Sequence, residues 1–373
     1  MKRKYRHDWT AYAARFKRAA KSINKDDEYI ANCLSYAKKL YEKNLPVVYS
    51  QEHFSFLCGY EYNYILSACN SEKYFYRKIV IKKKNGGNRI LNEPLPSLKD
   101  IQRWVVENIL EKVEVHPAAK AYVPKKSIKD NARFHVNQNV VISVDIKDFF
   151  PSIHISRVYN IFSSLGYSAA VSKMLAEICC YKNCLPQGAP TSPYLSNIVM
   201  HDLDDDLFAY ARRNGLRYTR YADDITFSGD IKPSKLIATL YQLITEYGFK
   251  LNKQKISVMR RGARQIVTGI VVNQKMQFQR VRRKKLRQDV YYINKYGLNS
   301  HCIREGINKR NYLSHLIGVA NSILFINPND KDAQDAYQII IDLLKDESKL
   351  DGQGRLDLRV SVEDSRTESP KTH

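Results

Sequence analysis

The segment Tyr218-Thr219-Arg220-Tyr221-Ala222-Asp223-Asp224-Ile225-Thr226-Phe227 sets two adjacent carboxylates inside an otherwise apolar run. The pattern reads as strand, tight turn and strand, with acid at the tip where it can face a cation. Working outward, Val140-Val141-Ile142-Ser143-Val144 reads as a buried strand that ends on Asp145, followed by Ile146-Lys147-Asp148-Phe149-Phe150-Pro151. Two strands that each end in carboxylate predict one shared site. Oxygen ligands of this kind suit Mg²⁺, and a pair of such ions suits in-line phosphoryl chemistry, one activating the attacking hydroxyl and one neutralising the leaving pyrophosphate.

The 373-residue chain carries 61 Lys plus Arg against 38 Asp plus Glu, a net charge of +23. That excess points to a polyanionic partner, and 26 tyrosines add rings able to stack on bases. An odd number of cysteines, seven, argues against a disulfide framework and for a reducing cytoplasm. Cys179, Cys180 and Cys184 cluster without a second ligand pair at zinc spacing, so packing is their expected role. The basic start Met1-Lys2-Arg3-Lys4-Tyr5-Arg6 precedes no long apolar stretch, so neither a signal peptide nor a membrane span is expected.

Helical spacing from Trp9 to Lys43, with a stripe of Tyr29, Ile30, Cys33, Leu34, Ala37 and Leu40, predicts a helical N-terminal extension over 1–48. Tyr76 to Lys84, Asn85-Gly86-Gly87-Asn88 and Arg89-Ile90-Leu91 predict a basic hairpin, followed by an amphipathic helix through Ile101, Trp104, Val105, Ile109 and Val113. Ser192 as N-cap and Pro193 at the first helical position predict one long helix to about Asn214. Asp204, Asp205 and Asp206 on it should form a solvated face, since consecutive helical positions diverge by roughly 100°. Ser234 to Tyr247 should be a helix closed by Gly248, and Gln265 to Val272 a strand. The basic block Arg280 to Arg287 leads helical patterning through Ile341, and the polar, aromatic-free tail from 346 to 373 is expected to be disordered.

Asp145-Ile146-Lys147-Asp148-Phe149-Phe150, Leu185-Pro186-Gln187-Gly188, Tyr221-Ala222-Asp223-Asp224 and Gly248-Phe249-Lys250-Leu251-Asn252 with Lys255, in that order, resemble the core motifs of reverse transcriptases. Asn131-Ala132-Arg133-Phe134-His135 and Val267-Thr268-Gly269 further resemble the marker motifs of the retron type. The resemblance implies an α+β right-hand polymerase: interleaved fingers and palm with an antiparallel sheet over 49–275, and a basic helical thumb over 276–345. It implies an RNA-directed DNA polymerase that copies part of a cognate structured noncoding RNA into single-stranded msDNA from a guanosine 2′-hydroxyl, using dNTPs. Antiphage defence beside a separately encoded effector is the setting it implies, because nothing in the chain looks like a nuclease, ATPase or toxin. Group II intron-like or diversity-generating reverse transcriptases share the catalytic segments and should lack both marker motifs. A structural RNA-binding subunit is the rival from another class, and intact Asp145, Asp223, Asp224 and Phe150 speak against it.

On this resemblance Asp145 and Asp223 hold two Mg²⁺ ions with the Ile146 carbonyl, and Asp224 supports the second ion. Lys255 is the expected proton donor to pyrophosphate. Phe150 is the expected steric gate against a ribose 2′-hydroxyl. Gln187 and Gly188 line the nucleotide site, and Arg89 with Lys82 grips the triphosphate. Asn131 and His135 are expected to contact RNA or serve architecture. Val267, Thr268 and Gly269 belong to the primer grip and RNA recognition, and Arg280, Arg282, Arg283, Lys284, Lys285 and Arg287 contact an RNA stem, read by shape because A-form RNA hides its bases.

Overall fold

The computed structural model describes residues 8–82, 86–308 and 311–350. The chain divides into two compact units, residues 1–268 with 272–275 and residues 269–271 with 276–373. In the first unit the N-terminal pattern resolves into two helices, Trp9–Ser22 and Asp27–Glu42, capped by the Asp8 and Asp26 carboxylates. Ile30, Leu34, Ala37 and Leu40 of the expected stripe are buried, whereas Tyr29 stays exposed.

Strands β1 (Tyr76–Lys82) and β2 (Asn88–Pro94) form the antiparallel hairpin, with Ile81 opposite Arg89. Lys83, Lys84 and Asn85 of the expected turn lie outside the described residues. The helix Pro96–Asn108 follows and buries Leu98, Ile101, Val105 and Val106. The principal sheet comprises β3 (Val140–Asp145), β4 (Arg217–Tyr221), β5 (Asp224–Gly229) and β6 (Ser257–Arg260), in the order β4-β5-β3-β6 with every pairing antiparallel. Its apolar side chains Ile142, Val144, Ile225 and Phe227 join Phe162, Leu175, Leu203 and Leu240 from helices in one continuous core.

Two expected elements are interrupted. The helix foreseen from Ser192 to Asn214 is two helices, Ser192–Val199 and His201–Arg213, meeting at Met200. Thr191 occupies the N-cap, and Ser192 instead donates its hydroxyl to the Pro186 carbonyl, 2.8 Å away. The strand foreseen over Gln265–Val272 is two short strands, β7 (Ile266–Val267) and β8 (Ile270–Val271), because Thr268 and Gly269 both take positive φ, 46° and 83°.

In the second unit β8 pairs with β9 (Gln277–Phe278). Among the described residues four helices follow, Arg280–Tyr296, Leu298–Glu305, Tyr312–Ile326 and Lys331–Leu350. The last runs past residue 346, where the sequence places the start of the tail, and 351–373 lie outside the described residues. No disulfide joins any of the seven cysteines, and Cys179 and Cys180 are buried in the core. Among the described residues no helix is long and apolar enough to cross a membrane.

Candidate active site and nucleic-acid interface

Register brings the acids together. Asp145 ends β3 directly opposite Asp224 at the start of β5, and the Ile146 N–H donates to the Asp223 carbonyl at 3.0 Å. The β4–β5 turn needs a left-handed residue, and Ala222 supplies it at φ 58°. A non-glycine residue held there is strained, as turns at functional sites often are. Behind it, the buried Arg220 guanidinium donates to the Ala222 carbonyl at 3.1 Å, to Asn197 Oδ1 at 3.0 Å and to both oxygens of Asp204. Tyr218 also donates its hydroxyl to Asp204 at 2.5 Å. Asp204 and Arg220 are both 0% exposed, which corrects the expectation of a solvated position at Asp204, while Asp205 and Asp206 are exposed as expected. The missed signal is Arg220 itself, since a cation inside a core strand requires a buried anion.

Crowding of carboxylates sets the electrostatics. Burial, then the charge of Asp145, pushes the Asp223 carboxyl up to about 6. Burial also raises Asp224, partly offset by the Ser143 hydroxyl donating at 2.5 Å. Lys255 places Nζ 2.7 Å from Asp145 Oδ2, and Asn252 reaches Oδ1 at 3.4 Å. Both arrive because the Asn252 N–H donates to the Asp145 carbonyl and the Lys147 N–H to that of Lys250. Three half-buried carboxylates with one lysine beside them are an electrostatically frustrated, oxygen-rich set, which is the donor chemistry that divalent ions such as Mg²⁺ prefer.

A cavity of about 460 Å³ is lined by Arg89, Phe150, Gln187 and Gly188, all expected at a nucleotide site. Phe150 is half-buried, its ring 5.5 Å from the buried Phe149, and the left-handed Asp148 at φ 48° makes this segment a turn. Gly188 has φ 123°, and a Cβ there would stand 3.0 Å from the Asn92 carbonyl oxygen, so a side chain would be both crowded and strained. Lys82 is not among the lining residues. Lys99 and Arg103, four apart on the helix Pro96–Asn108, line the wall instead. Lys99 is held by Glu93 at 2.8 Å.

Sequence reasoning also passed over Tyr122. Residues 118–120 run beside β4, where Arg220 donates to the Ala118 carbonyl and Lys120 to that of Arg220. This delivers Tyr122 to the cavity, its ring 6.4 Å from Phe150 and its backbone left-handed at φ 59°. A bulky residue with positive φ is a genuine outlier and a signal visible only in the backbone. Burial, then Asp223, raises its hydroxyl pKa.

The marker motifs meet. Asn131 donates Nδ2 to Thr268 Oγ1 at 3.5 Å, and His135 bridges Ser228 on β5 at 2.7 Å and Thr219 on β4 at 2.8 Å. Asn131, His135 and Val267 are buried, which for Asn131 and His135 agrees with the architectural one of their two expected roles. Burial, then Arg217, takes the His135 imidazole down to about 3. Thr268 is half-buried and Gly269 exposed.

The basic block is divided. Arg283 pairs with Asp330 at 2.5 Å, Lys285 with Asp289 and Glu305 at 2.9 Å each, and Arg287 with Asp332 at 3.3 Å. Arg282 lies over the Phe278 ring at 4.3 Å and donates to Ser322. Arg280 and Lys284 are exposed and have no ion-pair partner among the described residues.

The model of the family described as reverse transcriptase (RNA-dependent DNA polymerase) matches residues 81–293, more than half the chain. The chain therefore belongs to the reverse transcriptases, and its relatives assign it to the retron type. It is 38% identical to the retron Ec86 reverse transcriptase of Escherichia coli over 58% of this chain and 70% of that protein. It is 35% identical to the retron Mx65 reverse transcriptase of Myxococcus xanthus over 69% of this chain and 62% of the relative. Among solved structures it is similar to a Candida albicans telomerase in complex with a fragment of telomeric RNA, with TM-score 0.44 and 11% identity over 74% of this chain and 64% of the other.

Proposed function

We propose that this protein extends a DNA strand on an RNA template from dNTPs, and that its template is a cognate structured noncoding RNA part of which it converts to msDNA, primed from a guanosine 2′-hydroxyl. The observation that carries the reading is the meeting of Asp145, Asp223 and Asp224 at paired strand ends, with the cavity of Arg89, Phe150, Gln187 and Gly188 in the same unit. Asp145, Asp223 and the Ile146 carbonyl would hold two Mg²⁺ ions, with Asp224 supporting the second. When bound, such ions supply activation of the attacking hydroxyl and neutralisation of the leaving pyrophosphate.

The chain's own groups do the rest. Arg89 and Lys99 bind triphosphate oxygens, and Gln187 and Gly188 let the nucleotide approach the backbone. Phe150 excludes a ribose 2′-hydroxyl. Lys255 donates a proton from Nζ to the leaving pyrophosphate oxygen. Arg280 and Lys284 bind RNA phosphates, so affinity falls steeply with salt. Work in the cytoplasm as part of an antiphage system, beside a separate effector protein, completes the proposal.

The test is to express the chain with its native flanking DNA and sequence the nucleic acid that co-purifies, after separate RNase and DNase treatments. A discrete single-stranded DNA joined to RNA is expected, absent from the Asp223→Ala, Asp224→Ala double variant. RNA alone in both preparations would overturn the reading in favour of another reverse transcriptase class or a binding subunit.

A further inference from the structure

Tyr122 is held in place by a buried network that ends at the acidic tip. Ala119 bridges Arg220 of β4, with the Arg220 N–H on the Ala118 carbonyl at 2.9 Å and the Lys120 N–H on that of Arg220 at 2.8 Å. Asn197, 1% exposed, donates Nδ2 to the Ala121 carbonyl at 2.9 Å and accepts from the Arg220 guanidinium, which also donates to the Ala222 carbonyl. One guanidinium therefore braces both the turn that carries Asp223 and the peptide that precedes Tyr122. Within that frame Tyr122 keeps φ 59°, a conformation that costs a bulky side chain free energy and that glycine or asparagine takes more readily. Strain of this kind persists only where the surroundings fix it, and it clusters at sites of function.

The side chain so placed extends the wall on which a nucleotide sugar would rest. Its ring centroid lies 6.4 Å from that of Phe150 at a tilt of 45°, too close for a sugar to enter between them, so the two rings are adjacent panels of one cavity surface. Burial raises the hydroxyl pKa, Asp223 and Tyr221 add to that and Arg89 opposes it, which sets the hydroxyl within electrostatic reach of both the acidic tip and Arg89. Among the described residues this hydroxyl has no hydrogen-bond partner. A deoxynucleoside triphosphate carries a single sugar hydroxyl, on C3′. The carbon that Phe150 is proposed to guard, C2′, is flanked by C1′, which bears the base, and by C3′, which leads toward the phosphates. Tyr122 stands on the side of Asp223 and Arg89, so the panel beside the gate faces C3′.

We propose that Tyr122 is a specificity-determining residue for the 3′-hydroxyl of the incoming deoxynucleotide: its phenol hydrogen-bonds that hydroxyl while its ring continues the Phe150 wall beneath the sugar. The inference rests on the reading of the chain as an RNA-copying polymerase with its nucleotide in this cavity, and deepens that reading by naming the sugar atom recognised.

The experiment measures kcat/KM of the full chain for adding one nucleotide to a DNA primer on an RNA template, with dGTP, its 2′,3′-dideoxy analogue ddGTP, and GTP. Tyr122→Phe should lower kcat/KM for dGTP about fivefold and leave ddGTP as in wild type, so that the deoxy-to-dideoxy ratio falls by the same factor. The loss is that of one neutral hydrogen bond, since Tyr122 is 44% exposed and water reaches its surroundings, so no buried group is left unpaired. GTP keeps a 3′-hydroxyl and should fall with dGTP, which leaves the deoxy-to-ribo ratio unchanged. Phe150→Ala should do the opposite, admitting GTP while the deoxy-to-dideoxy ratio stays that of wild type. Because Tyr122→Phe keeps the ring, its thermal midpoint should match wild type, and each ratio is internal to one preparation. A deoxy-to-dideoxy ratio unchanged in Tyr122→Phe overturns the proposal. If dGTP and ddGTP are then lost alike, the phenol is a phosphate contact or a structural prop. A Tyr122→Phe chain that instead loses its preference for dGTP over GTP also overturns it, by assigning the residue to the 2′ gate. Failure of wild type to add dGTP defeats the polymerase reading, whereas addition with an unaltered ratio in Tyr122→Phe defeats this inference alone.

Discussion

Two groups of three aspartates face opposite fates in this molecule. Asp145, Asp223 and Asp224 stand at the ends of neighbouring antiparallel strands, where register points them at one another and burial pushes Asp223 upward. Asp204, Asp205 and Asp206 are consecutive on one helix and are sent three ways. Asp204 goes inward to Arg220, Asp205 lies 3.3 Å from both His116 and His201, and Asp206 accepts from the Tyr247 hydroxyl at 2.7 Å. Adjacency in sequence therefore says little about convergence in space. Strand ends gather carboxylates into a repelling set that the one neighbouring lysine, Lys255, relieves only in part, and a helix disperses them to partners already in the chain.

The comparison breaks most sharply at Asp223. Asp223→Ala should lower extension of a primed RNA template on the order of a thousand-fold or more, a loss of several kcal/mol of transition-state stabilisation, with the thermal midpoint nearly unchanged. Asp204→Ala should do the reverse kind of damage, leaving the Arg220 charge buried without its anion and costing roughly 3–5 kcal/mol of stability in denaturant titrations. Should Asp204→Ala keep full stability while losing only activity, the division between the two groups would be wrong.

A smaller effect concerns His135, which clamps β4 to β5 behind the acidic tip. Its folded-state pKa of about 3 lies below the unfolded value near 6.5, so between those limits the unfolded chain binds more protons. This contribution to stability is complete above about pH 6.5 and is lost as pH falls, reaching about 2 kcal/mol by pH 5. A His135→Gln variant should be less stable at pH 7.5 and show a flatter decline with acid. The smallest effect sharpens the comparison from the other side: Asp206→Ala, at an exposed member of the helical group, should change neither extension rate nor denaturation midpoint measurably.

Much of the site was legible because its residues sit at element ends. Asp145, Asp223 and Asp224 sit at the ends of apolar strands, and the point where a short apolar run stops at acid is visible in the sequence. Gly188 was legible as a place of close backbone approach. Tyr122 was not, because its position depends on residues 118–120 lying beside β4, a contact between segments a hundred residues apart. Asn131 and His135 stood out through the resemblance of their segment to a marker motif, but nothing local reveals that their partners are Thr268, Ser228 and Thr219. The basic block read as one patch since all six residues are cations. Only tertiary packing brings Asp330, Glu305 and Asp332 to three of them and leaves Arg280 and Lys284 open.

One backbone contact joins the hairpin to the loop that lines the proposed nucleotide cavity. The Asn92 N–H on β2 donates to the Gln187 carbonyl at 2.8 Å, and the absent side chain of Gly188 lets the two backbones touch. This amide thus joins the hairpin to the wall of the cavity, beside the Glu93–Lys99 ion pair. Its solvent exchange is a built-in reporter: a nucleotide that steadies the Gln187 loop slows exchange at Asn92, and a hairpin that swings away breaks the stitch before it disturbs any carboxylate.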